Sequence, residues 1–381
     1  SISPVSCQIV GMSFAVEPHK AWYVPFTISN RSAYVEILRP LMENKYITKI
    51  GQNIKFDIMV LRRLGIEVRG RKIDTMLLHY LIDAESRHNM NFLAERYLNY
   101  TPIAIETLIG KGAKQLTMDL VNIERVAEYA AEDADITLQL KHKLYPEVEK
   151  LGMMELYEKI EAPMIDVLAD IELEGVTIDS EALSRYATEL RALLETLESE
   201  VREMAGEPAL NINSSRQLGE VLFEKMGLKH GKKTKTGYST NADVLEKLAD
   251  KHPIIPAIID YRMLSKLNST YADGLLKVID ADGRIRTTFQ NLVTATGRLS
   301  STAPNLQNIP VRTDLGAEIR KMFIPKPGFV LVDADYSQIE LRVLAAIADD
   351  EAMKNLIWTV VSVFVLLLQI AAEVVAAMFV L

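Results

Sequence analysis

DADYSQIELR, residues 333–342, is the stretch on which the reading of this chain turns. The apolar run before it, Phe329-Val330-Leu331-Val332, has the composition of a buried strand and would deliver Asp335 to its end. Gln338-Ile339-Glu340-Leu341-Arg342 then opens a helical pattern. A carboxylate fixed at a strand end is what a divalent cation and a triphosphate require for phosphoryl transfer. Upstream residues would have to hold a substrate near it.

The nearest upstream signal is TATGRLSSTAPNLQNIPVR, residues 294–312. Its Gly, Ser, Thr, Pro and Asn content makes it a loop, from which Arg298, Gln307, Asn308 and Arg312 project as long donors. Donors of this kind reach the minor-groove acceptors that every base pair shares, so such a loop can grip a duplex of any sequence. A polar surface loop with incidental charge has the same composition.

Charge is divided along the chain. The net charge is −8, yet residues 211–330 hold 18 Lys and Arg against 11 Asp and Glu, leaving −15 on the remainder. One basic region in an acidic chain suits a surface that meets phosphates, although a solvated lysine-rich helix face gives similar counts. The single cysteine, Cys7, excludes an intramolecular disulfide and fits the reducing cytoplasm. No signal peptide is present, and the N-terminus reads as if cut from mid-strand.

At 381 residues and 49% apolar composition, two or three domains with real cores are expected. Strand-like runs at 8–16, 21–26 and 46–51 alternate with helical periodicity at 57–64, 74–82, 91–97 and 123–144, the pattern of an α/β domain. Residues 151–280 are mostly helical. A long amphipathic helix starts at the N-cap Asp179 and runs to about Met204; Ser214-Ser215-Arg216-Gln217 is a capping box opening a helix to Met226. A basic linker, KHGKKTKTGYST at 229–240, precedes a short helix after Asn241 and another long one over 253–279. Two long helices with a basic tip between them predict an arm, not a compact bundle. After Asp282-Gly283 strands and loops return. His79, His88, His142, His230 and His252 show no metal spacing and receive no role.

The tail, residues 354–381, is almost unbroken apolar sequence from Leu356 apart from Gln369 and Glu373. It is long enough to span a bilayer. A membrane anchor, a buried core helix and residues foreign to the native gene are the three readings. The absence of a basic flank and of any other membrane feature favours the last.

Together, TATGRLSSTAPNLQNIPVR and VDADYSQIELR resemble the palm of the bacterial DNA polymerase I family, family A. The thumb of that family is similar to NINSSRQLGEVLFEKMGL, KKTKTGYST and SKLNSTYADGLL here. Its proofreading 3′→5′ exonuclease domain resembles the first part, through GQNIKFD (51–57) and EYAAEDADITLQL (128–140). The resemblance covers residues 1 to about 353. It implies an α/β fold: an RNase H-like exonuclease domain over 1–149, a mostly helical thumb over 150–285 and a partial α+β palm over 286–353.

Carried over by that resemblance, Asp335 is the metal-binding carboxylate of the first palm motif. Asp333 lies two residues earlier on the same strand face, and only the family pattern chooses between them. Glu340 corresponds to the side chain that excludes a ribose 2′-hydroxyl. As a glutamate in a first helical turn it also suits the macrodipole. Arg298 matches a minor-groove contact at the primer terminus; Gln307, Asn308 and Arg312 match template–primer contacts. Lys232, Lys233 and Lys266 resemble the backbone-gripping surface of the thumb, whose contacts weaken with salt. In the exonuclease part, Asp57 and Asp133 fit metal ligands, and Tyr129, four residues before Asp133, fits the group that orients the attacking water. Gln52, Asn53 and Phe56 resemble the lining of a cleft for a single-stranded DNA 3′ end. Phe56 would serve equally in a core. The implied cofactor is Mg²⁺ in two-metal sites, and the implied partners are primer–template DNA and dNTP.

Two departures set an expectation about activity. The family's exonuclease opens with a strand bearing an Asp-x-Glu pair, which Ser1 follows. After Met353 the apolar tail stands where the family has its fingers, its nucleotide-binding helix and a second palm carboxylate. A half-built two-metal site predicts a fragment with little polymerase activity alone. The alternative is a 3′→5′ exonuclease or repair protein that uses thumb and palm only to bind DNA; retention of Asp335 and Glu340 weighs against it.

Overall fold

The computed structural model of the chain describes residues 3–229, 233–234 (backbone only), 237–311 and 313–356. The chain divides into two compact units, Ser1–Ile324 and Pro325–Leu381.

The first unit begins with an antiparallel hairpin, β1 (Gly11–Glu17) and β2 (Lys20–Pro25), in register from Gly11↔Pro25 to Glu17↔Lys20. After α1 (Arg31–Glu43), β3 (Lys49–Gly51), α2 (Ile54–Arg63) and β4 (Lys72–Asp74) form a parallel β-α-β unit. Then come α3 (Thr75–Ile82), α4 (Met90–Leu98), α5 (Glu106–Ile109) and α6 (Ile123–Lys150). Ile58, Leu78, Leu93, Leu140, Leu144 and Val148 are at the centre of their shared core. The expected alternation of strands and helices is present, and α6 extends six residues beyond its predicted end. It continues through Pro146 because Leu144 and Val148 on either side are fully buried, which offsets the lost backbone hydrogen bond.

From α7 (Met154–Leu156) a π-helical turn, Tyr157–Glu161, leads into α8 (Ala162–Glu174) and β5 (Val176–Ile178). The helical arm follows. Helix α9 (Ser180–Ala205) starts where Asp179 accepts the Ala182 amide at 2.9 Å and stops at left-handed Gly206. Helix α10 (Ser215–Gly219) starts with Ser214 accepting the Gln217 amide and continues as a π-turn to Lys225. The Gln217 side chain reaches Asn211 N, at 3.0 Å, instead of closing the capping box. At the basic linker a short hairpin pairs β6 (Lys233–Thr234) with β7 (Gly237–Tyr238). Next are α11 (Ala242–Glu246) and α12 (Ile254–Lys266). The helix expected over 253–279 is interrupted by a π-turn, Leu267–Ala272, before α13 (Asp273–Leu276).

Helices α9 and α12 run antiparallel. Leu183, Tyr186, Ala187 and Leu190 share one core with Leu264, Leu267, Tyr271 and Leu275, and Val201 shares the next with Ile254, Ile258 and Tyr261. Two cores strung along one helix pair make the predicted arm. At its base β5 is the centre of an antiparallel sheet with β8 (Arg284–Ile285) and β11 (Phe323–Ile324). Between them β9 (Thr288–Gln290) pairs with β10 (Ser300–Thr302), followed by α14 (Asp314–Lys321).

In the second unit the predicted buried strand over 329–332 is corrected. Phe329 to Val332 are exposed, Val332 at 84%, and belong to no ladder among the described residues. An apolar run becomes a buried strand only when neighbours pair its amides and cover its faces, and the described residues supply neither. The helix beginning in the motif forms as α15 (Ile339–Ala348). The tail from 357 lies outside the described residues; among those described, no helix is long and apolar enough to cross a membrane.

Candidate functional site

In the GQNIKFD segment the chain leaves β3, turns through Asn53 in the left-handed region (φ 61°), and enters α2 with Asp57 in its first turn. One buried carboxylate organises this turn. Asp74, at the end of β4, accepts Ile54 N at 2.8 Å and Asn53 N at 3.2 Å, and caps α3 through Met76 N at 2.8 Å. A single acid thus satisfies donors at two helix starts. Burial raises its carboxyl pKa against the pull of these amides. Asp57 is raised to about 7, first by its dense surroundings and then by the negative charge of Asp74. Its surface remains open to water, and partial hydration works against that rise.

Gln52 spends its side chain internally, donating to His88 O at 2.7 Å and accepting from the Thr75 hydroxyl. Asn53 is exposed and Phe56 half-buried. On α6, Tyr129 and Asp133 stand one turn apart on the same face, as their four-residue spacing predicted, and each shifts the other's ionisation. Burial raises Asp133 to about 6, while the Tyr129 hydroxyl favours its ionised form. Burial and Asp133 together push the Tyr129 phenol up. Asp57 and Asp133 are the oxygen donors a hard cation takes, and both are raised first by burial and further by a neighbouring acid, Asp74 for one and Glu132 for the other. The described residues nevertheless bring together no group of three or more His, Cys, Asp or Glu that could hold a metal. The donor type fits Mg²⁺ and the donor number does not, so no chemical step through a metal follows from these residues alone.

The loop between β9 and β10 presents exposed Arg298. Thr294 Oγ1 donates to the Arg298 carbonyl at 2.7 Å and closes the TATGR turn. Buried Ser301 knots the segment that follows: its hydroxyl lies 2.6 Å from Thr287 Oγ1 and accepts Leu306 N at 3.0 Å. Gln307, read from sequence as a projecting donor, is exposed but also bonds its own loop, donating to Leu299 O at 2.9 Å and accepting Ser301 N at 3.0 Å. Asn308 is exposed, and its carbonyl accepts the hydroxyl of Tyr271 from the arm's π-turn. Lys266 is exposed at the end of α12. Arg312 and Lys232 lie outside the described residues, as does the side chain of Lys233.

In the second unit Asp333 and Asp335 lie on an exposed segment outside any strand or helix, and Glu340 is in the first turn of α15. Gln338 before it is left-handed, φ 51°. Asn53 and Gln338 are therefore both strained non-glycine caps directly ahead of a motif carboxylate, and such strain concentrates at functional sites. Arg342 donates to Ser337 O at 2.7 Å and steadies that turn.

Sequence reading missed Asp74, Ser301, Tyr271 and the partners of Lys55 described below. The helical patterns at 57–64 and 74–82 mark where caps are needed, but not that one acid supplies both.

Two known protein families match the segments that carry these residues. The family model described as 3'-5' exonuclease matches residues 1–149, and that of DNA polymerase family A matches residues 180–374. The DNA polymerase I of Rhizobium leguminosarum is 47% identical over 379 residues, covering 92% of this chain and 37% of that protein. The DNA polymerase I of Pseudomonas aeruginosa is 42% identical over 368 residues, covering 93% and 40%. The chain thus spans about two fifths of the length of these curated relatives. Among solved structures, the POL domain of Pol1 from M. smegmatis, in complex with DNA primer-template and dNTP, superposes with a TM-score of 0.73 at 30% identity, covering 88% of this chain and 55% of that one. The match to residues 180–374 takes in the arm, the Arg298 loop and the Asp335 motif, and the exonuclease match takes in the Asp57 and Tyr129–Asp133 elements. On these grounds the chain belongs to DNA polymerase family A.

Proposed function

We propose that this chain is the proofreading, thumb and first palm portion of a DNA-templated DNA polymerase that serves replication and repair. In that reaction a primer 3′-hydroxyl attacks the α-phosphate of a dNTP and pyrophosphate leaves. The observation that carries the reading is the tiling of the chain, in order, by an exonuclease and a family A polymerase model. Arg298 is held on a loop whose backbone is fixed at both ends. It is proposed to read minor-groove acceptors at the primer terminus, and Asn308 and Arg312 are proposed to contact the template–primer duplex. Gln307 shapes that loop with two bonds, and its exposed amide keeps a second N–H to offer to DNA. Lys266 and the lysines of the basic tip hold the phosphate backbone.

Asp335 is proposed as a ligand for Mg²⁺ in the palm, with Glu340 closing the space a ribose 2′-hydroxyl would need. Asp57 and Asp133 are the corresponding ligands in the exonuclease part, where Asn53 and Phe56 would hold a single-stranded 3′ end. Bound magnesium would neutralise the charge that develops on the transferring phosphate. The Tyr129 hydroxyl favours the ionised form of Asp133 against the larger rise that burial imposes. With no three-ligand cluster among the described residues, primer extension by the chain alone is expected to be weak.

Fluorescence anisotropy with a labelled primer–template tests the reading. Arg298→Ala is expected to weaken binding about tenfold, within the ~1–3 kcal/mol of a good base-edge contact. Lys266→Ala should lower the slope of log K against log salt by about 1. Unchanged affinity in both variants would refute the assignment of this surface.

A further inference from the structure

Two side chains of the exonuclease-like domain reach across the first unit to the segment that carries Arg298. The first is Lys55, two residues before Asp57. Its ammonium donates to Glu172 Oε1 at 2.6 Å and to the Phe289 carbonyl at 2.5 Å. Glu172 Oε1 also accepts Phe289 N at 2.7 Å. The pair is buried, with side-chain exposures of 12% for Lys55 and 2% for Glu172. One lysine and one glutamate therefore hold both backbone groups of a residue in the middle of β9. The second is Tyr80 on α3, whose hydroxyl donates to Thr294 O at 2.7 Å. Thr294 in turn bonds the Arg298 carbonyl.

The two bridges share an origin. Lys55 and Tyr80 are on α2 and α3, whose starts are both held by Asp74. Helix α2 is further tied to α8, the helix of Glu172, by Arg62 to Asp166 at 2.9 Å and to Asp170 at 2.6 Å. A rigid frame in one domain thus touches the other at Phe289 and Thr294, five residues apart, just before Arg298. Buried charge pairs of this kind contribute little to stability compared with an apolar replacement, but they fix geometry closely.

We propose that Lys55 and Tyr80 are positioning residues for the primer-gripping loop, by which the exonuclease-like domain sets where Arg298 stands. This role rests on the proposed function and adds to it a part played by the exonuclease-like domain in polymerase-mode binding. Neither residue touches DNA in this account. Each acts through the β9–Arg298 backbone, and the state of the exonuclease end is thereby mechanically connected to the grip on the duplex.

The test uses the full chain with Tyr80→Phe, Lys55→Met and the conservative Lys55→Arg. Amide hydrogen exchange should rise across residues 288–299 in the first two variants and not in β1–β2. Affinity for a primer–template duplex should then fall about 2- to 10-fold in Tyr80→Phe, the range of one hydrogen bond. Affinity for a single-stranded oligonucleotide should hold, and Lys55→Arg should restore most of the duplex binding. If Lys55→Met fails to fold because Glu172 is left unpaired, Tyr80→Phe decides alone. Unchanged exchange, or raised exchange with unchanged duplex affinity, overturns the role. An equal loss for duplex and single strand also overturns it, since that is general loosening. An unsubstituted chain that binds no primer–template refutes the functional reading and this role with it, a result visible before any substitution.

Discussion

Replacing Asp74 tests whether one acid holds two helix starts. It is 3% exposed and accepts three backbone amides, from Asn53 and Ile54 at the entry to α2 and from Met76 at the entry to α3. An N-cap lost to alanine costs about 1 kcal/mol, and a buried amide left unpaired costs ~1–3 kcal/mol. Water can reach the exposed Asn53, so the heavier losses fall on Ile54 and Met76. Asp74→Ala is therefore expected to cost about 2–4 kcal/mol. Asp74→Asn keeps one acceptor oxygen and can serve one helix fully, which halves the cost to about 1–2 kcal/mol. A chain with several cores does not unfold in a single step, so the assay is local: hydrogen exchange of the α2 and α3 amides, with α9 as internal reference. In the alanine variant protection should fall in α2 and α3 together, and in the asparagine variant mainly in one of them, with α9 unchanged in both. In the alanine variant, loss confined to one helix or a cost below about 0.5 kcal/mol would refute the double cap.

Two other outcomes follow from charge and burial. His79 and His88 face each other with Nδ1 atoms 2.8 Å apart, both buried, and burial lowers His79 to about 4 and His88 below its ordinary value. A base depressed in the fold stabilises it above the unfolded pKa of ~6.5, and that contribution is lost as pH falls toward 4. For His79 this amounts to roughly 3 kcal/mol, so thermal stability should drop between pH 6.5 and 4, and a double variant, His79→Leu with His88→Leu, should flatten that drop. Separately, Tyr129→Phe removes the hydroxyl that favours ionised Asp133. The Asp133 carboxyl, followed by ¹³C NMR, should then titrate at higher pH than in the unsubstituted chain; no upward movement would contradict the pair.

Local rules recovered most of the helices because their signals are local. Asp179, Ser214 and Asn241 each cap the helix predicted from them, and the heptad-like spacing from Leu183 to Leu190 marks the buried face of α9. The Tyr129–Asp133 pair was equally accessible, since four residues on a helix is one face. What escaped depends on contacts distant in sequence. Nothing in GQNIKFD says that Gln52 will be consumed by His88 and Thr75, or that Lys55 will find a partner 117 residues away. Gln307 reads as a donor for DNA because composition cannot show that Leu299 and Ser301 lie within its reach. The two histidines lack metal spacing, as read, yet packing brings their rings together across a nine-residue interval. The run at 329–332 failed for the opposite reason: its pattern is right for a strand, but a pattern does not furnish the neighbours that a strand needs.

The joints at Phe289 and Thr294 have an evolutionary corollary. On the proposed function, a lineage with no further use for editing could discard Asp57 by point substitution, but not α2, which bears it, or α3 beside it, because Lys55 and Tyr80 on those helices hold Phe289 and Thr294. Such a lineage would be expected to carry a catalytically silent yet intact editing fold, kept as scaffolding long after its chemistry had lapsed.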